Sequence, residues 1–189
     1  MAQLIYSMIT SLDGYVADAD GDFGSWAQPD EEVLAALNDD IARVGTYLYG
    51  RRMYELMAVW ENDPSLTADS PASEDFARLW QQADKVVYST SLTQPVTERT
   101  RVHGVFDPEQ VRTLKESSSA DLTIDGPTLA SAGLEHGLVD EISMYICPVS
   151  LGGGLAFLPR QRLDLRLLEQ RRFGNGVVRL RYAVGNGSR

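Results

Sequence analysis

Residues 122–142, LTIDGPTLASAGLEHGLVDEI, constrain this chain more tightly than any other stretch. A short apolar run meets a glycine, then a proline, then apolar residues at helical spacing. That order reads as strand, tight turn and helix, with Pro127 at the first helical position, where a missing N–H costs nothing. Such a junction turns free backbone N–H groups toward the carboxyl end of a strand, a pocket suited to phosphate. Yet Asp125 stands in the turn, a carboxylate where an anionic ligand needs bare backbone. Its side chain could cap the helix by accepting from the Thr128 N–H, which would fill the pocket. It could also turn outward to solvent and leave the Gly126 backbone free.

The same alternation runs through most of the chain. AQLIYSMI reads as a buried strand, and SLDGYVADADGDFGSW as a loop with Asp-Gly turns. Pro29 and the acidic Asp30, Glu31 and Glu32 open a helix whose stripe is Val33, Leu34, Leu37 and Ile41. GTYLYG is a strand leading into a helix at GRRMYELM, and residues 61–75, rich in Pro, Ser and Asp, read as a surface loop. A helix near 73–83, the strand KVVYST, a short strand near RVHGVF and a helix at DPEQVRTLKES follow, the last with Asp107 to cap it. After the opening motif come DEISMYICPV, an LGGG loop, LDLRLLEQRRF and VVRLRYAV, the last two joined at Asn175-Gly176, a strong hairpin signal. An α/β class is expected: a three-layer α-β-α sandwich with a mostly parallel mixed sheet and a C-terminal antiparallel hairpin, residues 1–189 forming one domain.

Composition narrows the function. The 189 residues are 43% hydrophobic and 23% charged, ordinary for a soluble globular chain. A net charge of −10 argues against nucleic acid, which selects basic faces. No apolar run approaches the ~20 residues of a membrane helix, and the start lacks a basic n-region, so a cytoplasmic location is expected. The single cysteine, Cys147, excludes an internal disulfide and a cysteine-based metal cluster; His103 and His136 lack a partner spacing, and no metal is expected.

Two glycine turns, at Gly50 and Gly126, each join a strand to a helix, where ligands of parallel sheets gather. Neither is a dinucleotide fingerprint or a Walker loop. Arg51 and Arg52 sharpen the first, because two cations at a helix start oppose its dipole unless an anion sits there; two solvated arginines are the alternative. Asp30, Glu31 and Glu32 either stabilise a helix start or supply an acid. Asp13 either forms a turn or sits at a ligand.

SLDGYVA, LYGRRMYE, KVVYSTSL, DGPTLASAGLEHGLVDEISMYICPVSLGGG and RRFGNGVVRLRY occur in that order. Together they resemble the dihydrofolate-reductase-like superfamily, and within it the reductase domain of the riboflavin-biosynthesis deaminase-reductase, the RibD C-terminal domain family. The resemblance spans residues 3–183; the zinc-binding deaminase half is absent. It implies an NADPH site. Gly50, Arg51 and Arg52 would hold the adenine-side phosphates. Ser89, Thr90 and Ser91 would meet the 2′-phosphate and ribose; relatives often carry an arginine near Thr90, and its absence here leaves Arg51 or Arg52 as the 2′-phosphate partner. Gly126, Pro127, Thr128 and Leu129 would meet the pyrophosphate, and Ser7, Asp13 and Val16 would flank the nicotinamide. The family's turn has two adjacent glycines, the first replaced here by Asp125. A carboxylate about 5 Å from a phosphate charge costs about 3 kcal/mol at an effective dielectric of about 20, so the outward pose is expected. WAQPDEE resembles the W-x-x-P-x-(D/E) stretch of dihydrofolate reductases. On that match Glu31 is the acid, and Trp26, Asp30 and Ile124 complete the substrate side.

The implied activity is an NADPH-dependent oxidoreductase acting on a CH–NH or CH–OH donor. Hydride would pass to a C=N or C=O of a small heterocyclic or ribosyl-type substrate, as in 5-amino-6-(5-phosphoribosylamino)uracil reductase of riboflavin biosynthesis. A homodimer is expected, with EISMYICPV as the apolar strand set that pairs. A non-catalytic nucleotide-binding domain of the same fold, or a dihydrofolate reductase, are the alternatives.

Overall fold

A computed structural model describes residues 1–68 and 70–185. Strand β1 (Leu4–Thr10) leaves into the Asp-Gly loop, which contains a three-residue strand, β2 (Tyr15–Ala17), too short to show a period. Helix α1 (Glu31–Ile41) starts where expected, because the Asp30 carboxylate accepts from the Val33 N–H at 2.9 Å. Its buried stripe of Val33, Leu34 and Ala36 faces the sheet. Strand β3 (Val44–Gly50) runs directly into helix α2 (Arg51–Met57).

The surface loop expected over 61–75 is more ordered than its composition suggests. It holds the end of α3 (Val59–Asn62), a 3-10 turn at Pro64–Thr67, and the start of α4 (Pro71–Gln82). The cause is local: Asp63 and Ser70 cap these elements, accepting from the Ser65 and Ser73 N–H groups, and Pro64 and Pro71 open them. Residues that signal loops also start helices.

Strands β4 (Asp84–Tyr88) and β5 (Thr100–His103) precede helix α5 (Pro108–Ser117), which Asp107 caps through the Glu109 N–H at 2.9 Å. The opening motif forms strand β6 (Asp121–Asp125) and helix α6 (Pro127–Glu135). Strands β7 (Glu141–Ile146), β8 (Leu155–Ala156), β9 (Leu165–Arg172) and β10 (Val178–Val184) complete the described residues.

Eight strands form one sheet in the order β5-β4-β3-β6-β1-β7-β10-β9. The run from β5 to β7 is parallel, and β10 pairs antiparallel with both β7 and β9. Strands β2 and β8 form a separate antiparallel ribbon. The ribbon is anchored at Tyr6, whose ring stacks on Phe157 at 4.2 Å and whose hydroxyl donates to the Phe157 carbonyl.

Alternate residues of each strand face opposite helical layers. Leu4, Tyr6, Leu48, Leu122 and Ile124 pack with Val111 of α5 and Ala130 and Leu134 of α6. On the other face Tyr145 packs with Val33 and Ala36 of α1, and Tyr47, Tyr49 and Val87 pack with Tyr54 of α2 and Trp80 of α4. This is the three-layer sandwich the sequence implies. The pairing strand expected in EISMYICPV is instead interior: β7 lies between β1 and β10 and fills this chain's own sheet. The edge on that side is β9, with Leu167 and Leu168 exposed.

Candidate active site

The chain leaves β6 for α6 on one face of the sheet. Its two neighbours, β1 and β3, lead to α1, α2 and α4 on the other. Where adjacent parallel strands part to opposite faces, their carboxyl ends leave a crevice, the place where ligands of open α/β sheets bind. The turns at Gly50 and Gly126 both lie on it. They are close to one another: a Cβ built on Gly126 would sit 3.4 Å from Met53 Cβ of α2.

On the β3 side, Gly50 pairs with Tyr88 at the end of β4, which brings the segment after β4 alongside α2. Arg51 Nη1 donates to Ser91 Oγ at 3.0 Å while its Nε donates to Glu55 at 2.7 Å. Ser89 Oγ organises the turn, accepting from the Ser91 and Leu92 N–H groups at 3.2 and 2.9 Å. Arg52 and Thr90 are exposed. The structure thus brings Gly50, Arg51, Ser89 and Ser91 into one polar corner, with Arg52 and Thr90 exposed beside them in the chain.

On the β6 side, Gly126 has φ +92° and ψ 124°, a conformation an L side chain rarely adopts. Among the described residues no side chain caps α6, so its first-turn N–H groups are free to meet an anion. Pro127 is buried, Thr128 exposed and Leu129 half-buried.

Asp125 adopts neither pose read from the sequence. It is only 7% exposed and does not cap α6. Strand β6 runs to Asp125 itself, so alternation sends this side chain to the face Thr123 shares. There its carboxyl accepts from Thr123 Oγ1 at 2.8 Å and from the Ser7 N–H of β1. Burial dominates over these two donors and pushes its pKa from 3.8 up to about 7. The pairing of Thr123 with Asp125 two residues later is the signal that could have revealed this.

The remaining expected residues divide. Ser7 is half-buried midway along β1 and touches Asp125 through its N–H. Ile124 is fully buried against α6, with Val139 and Gly133 beside it, and Val16 is buried with Tyr6 and Phe157. Both side chains belong to the core, which leaves them no face for a substrate or nicotinamide. Asp13 is committed to its own chain. It accepts from Ser11 Oγ, Ser150 Oγ and the Leu151 and Gly152 N–H groups at 2.7 to 3.1 Å, which hold its carboxyl well below the usual carboxylate range.

At the start of α1, Asp30 is the cap and Trp26 packs against the cluster of Val33, Tyr145 and Phe173. Glu32 accepts from the Gly174 N–H at 2.9 Å and pins the β9–β10 turn to α1. Glu31, the expected acid, is exposed rather than buried against Trp26. The buried carboxyl of this crevice is Asp125.

The family model of the RibD C-terminal domain matches residues 2–179. Among curated proteins, the uncharacterized protein YyaP of Bacillus subtilis (strain 168) is 26% identical over 183 residues, covering 95% of this chain and 94% of that one. Among solved structures, a candidate riboflavin biosynthesis protein of Shewanella sp. PV-4 superposes with a TM-score of 0.71 at 22% identity, covering 98% of this chain and all of that one. A pyrimidine reductase-like protein of Corynebacterium diphtheriae gives 0.66 at 16% identity, over 98% and 92%. RibD of Acinetobacter baumannii gives 0.65 at 24% identity, and there the match spans 58% of the longer chain. Sequence, sheet order and crevice lead to one assignment: the chain belongs to the RibD C-terminal domain family.

Proposed function

We propose that this chain is an NADPH-dependent reductase of a small heterocyclic or ribosyl-type substrate, residues 1–189 acting as one domain. The observation that carries the reading is the polar corner at the end of β3. Arg51 and two serines converge there, with Arg52 exposed next to them, beside an α6 N-terminus that no side chain caps. The residues fit a phosphorylated dinucleotide. A Cβ on Gly50 would meet nothing within 4 Å, so the backbone is open to close approach. The inward turn of Asp125 also leaves the α6 N-terminus unobstructed.

In this reading Arg51, Arg52 and Ser91 hold the 2′-phosphate, and the N–H groups of Gly126, Thr128 and Leu129 meet the pyrophosphate beside Pro127. NADPH supplies, when bound, a hydride from C4 of its nicotinamide. The chain contributes orientation, through the fixed ends of β1 and β6. The support for a non-catalytic domain weakens, because Asp125 does not occupy the turn's N–H groups.

The test is the double variant Arg51→Ala, Arg52→Ala. It should weaken NADPH by at least about 2 kcal/mol and NADH much less, since each arginine lost removes a charge-assisted bond. Equal losses for both cofactors, measured by titration at one salt concentration, would end the 2′-phosphate assignment.

The reading extends to a homodimer in the cytoplasm. No helix among the described residues is long and apolar enough to cross a membrane. The exposed leucines of edge strand β9 offer a pairing surface. Light scattering should return twice the 20.9 kDa of one chain; the mass of a single chain at micromolar concentration would exclude the dimer.

A further inference from the structure

Asp125 is a buried carboxyl at the end of β6, with Tyr49 near the end of β3 on one side, the middle of β1 on the other and the phosphate turn one residue on. Its surroundings are polar but uncharged. From β1 comes the Ser7 N–H, from β3 the Tyr47 and Tyr49 phenols, and from β6 the Thr123 hydroxyl. The nearest arginines of the crevice offer it no charge: Arg51 is engaged by Glu55 and Ser91, and none of the groups acting on Asp125 is a cation. A carboxylate here is stabilised by two hydrogen bonds and opposed by desolvation.

We propose that Asp125 is a ligand-site residue that favours the phosphorylated dinucleotide when it is a neutral carboxylic acid, so that binding is coupled to uptake of a proton by this buried carboxyl. The inference rests on the reductase reading of the crevice. Neutral, the carboxyl keeps its bonds to Thr123 and Ser7 and presents an O–H that the crevice can use as a donor. Ionised, it sets one negative charge against another beside the same turn; for a separation on the order of 5 Å at an effective dielectric of about 20 the repulsion lowers affinity about a hundredfold. Affinity is then flat below pH ~7 and falls about tenfold per pH unit above it, until the hundredfold limit is reached. Where relatives carry a second glycine, this chain has exchanged bare backbone for a group that ties occupancy to proton concentration.

The experiment titrates NADPH calorimetrically at pH 6, 7 and 8, each in two buffers of different ionisation enthalpy, into wild type and Asp125→Asn. The difference between the two proteins cancels titration of the ligand's own 2′-phosphate. Wild type should lose about fivefold in affinity from pH 7 to 8 relative to the variant, and take up close to one proton more at pH 8. The same slope and proton count in both proteins overturns the inference and leaves the reductase reading standing. Absence of NADPH binding by either protein at every pH removes that reading, and the inference with it. Should Asp125→Asn fail to fold, the carbon-13 carboxyl shift of Asp125 in wild type decides. Its titration midpoint must move upward when NADPH is added, and an unmoved midpoint overturns the proposal.

Discussion

Two Asp-Gly pairs, Asp13-Gly14 and Asp125-Gly126, are the same dipeptide with a glycine at positive φ, +83° and +92°. Their carboxyl groups have opposite fates. Asp13 is exposed, yet four donors from Ser11, Ser150, Leu151 and Gly152 surround it, and its acidity is strengthened. Asp125 is buried with two donors, and its acidity is weakened. The difference comes from what precedes each pair. Asp13 lies past the end of β1, in a turn that faces the loop after β7. Asp125 is the last residue of a strand, so the pleat decides its direction before the turn begins.

The contrast breaks most readily at Asp125. An unfolded aspartate loses its proton near pH 4, and the folded one only near 7. Between these values the unfolded state holds fewer protons, and stability falls as pH rises. The displacement from 3.8 to about 7 corresponds to about 4 kcal/mol. Asp125→Asn should therefore exceed wild type in stability by up to about 4 kcal/mol near pH 8, with the gain vanishing near pH 4. Urea titrations across that range would measure it, and a difference independent of pH would show that burial does not govern this carboxyl.

A smaller effect separates the glycines. Gly126→Ala strains the backbone and brings its Cβ to 3.4 Å from Met53, whereas a Cβ on Gly14 meets nothing within 4 Å. Positive φ costs about 1–3 kcal/mol in either place, and Gly126→Ala should fall at the upper end. Equal denaturant midpoints for the two variants would mean that Met53 yields freely.

Asp13→Asn should have the smallest effect on global stability and a local one instead. Amide exchange at Leu151 and Gly152 should quicken, while that at Ser7 is unchanged. Because the folded acidity of Asp13 is strengthened, its bonds hold above the ordinary carboxylate range and fade only as pH falls below it. In wild type the two amides should accordingly stay protected at pH 4. Protection lost by pH 5 would show that the Asp13 carboxylate is not what holds this loop.

Most of the fold could be read from the residues because each long element carries its own period and its own cap: Asp30, Asp107, Pro127, and the Asn175-Gly176 turn. Ribbon β2–β8 could not, since strands of three and two residues show no alternation. The site was less readable. The corner of Arg51 and Ser91 depends on β3 and β4 lying side by side, a pairing that no local pattern specifies. Ile124 and Val16 sit next to positions that line the crevice, but alternation puts their side chains into the core. Glu31 and Glu32 differ by one position along α1, and only the partner turn at Gly174 distinguishes them.

Strand β1 leaves the ribosome before either of the strands it pairs with, and it lies in the interior of the sheet. Its neighbours arrive late: Gln3 meets Asp121 across 118 residues, and Leu4 meets Asp140 across 136. Both edges of β1 therefore stay without partners through most of synthesis, while β3, β4 and β5 are made. Closing loops this long precedes any reward from the contacts they enable, which slows folding and prolongs the exposure of an apolar strand to other chains. In a nascent chain the crevice cannot exist until β6 has emerged to lie between β3 and β1.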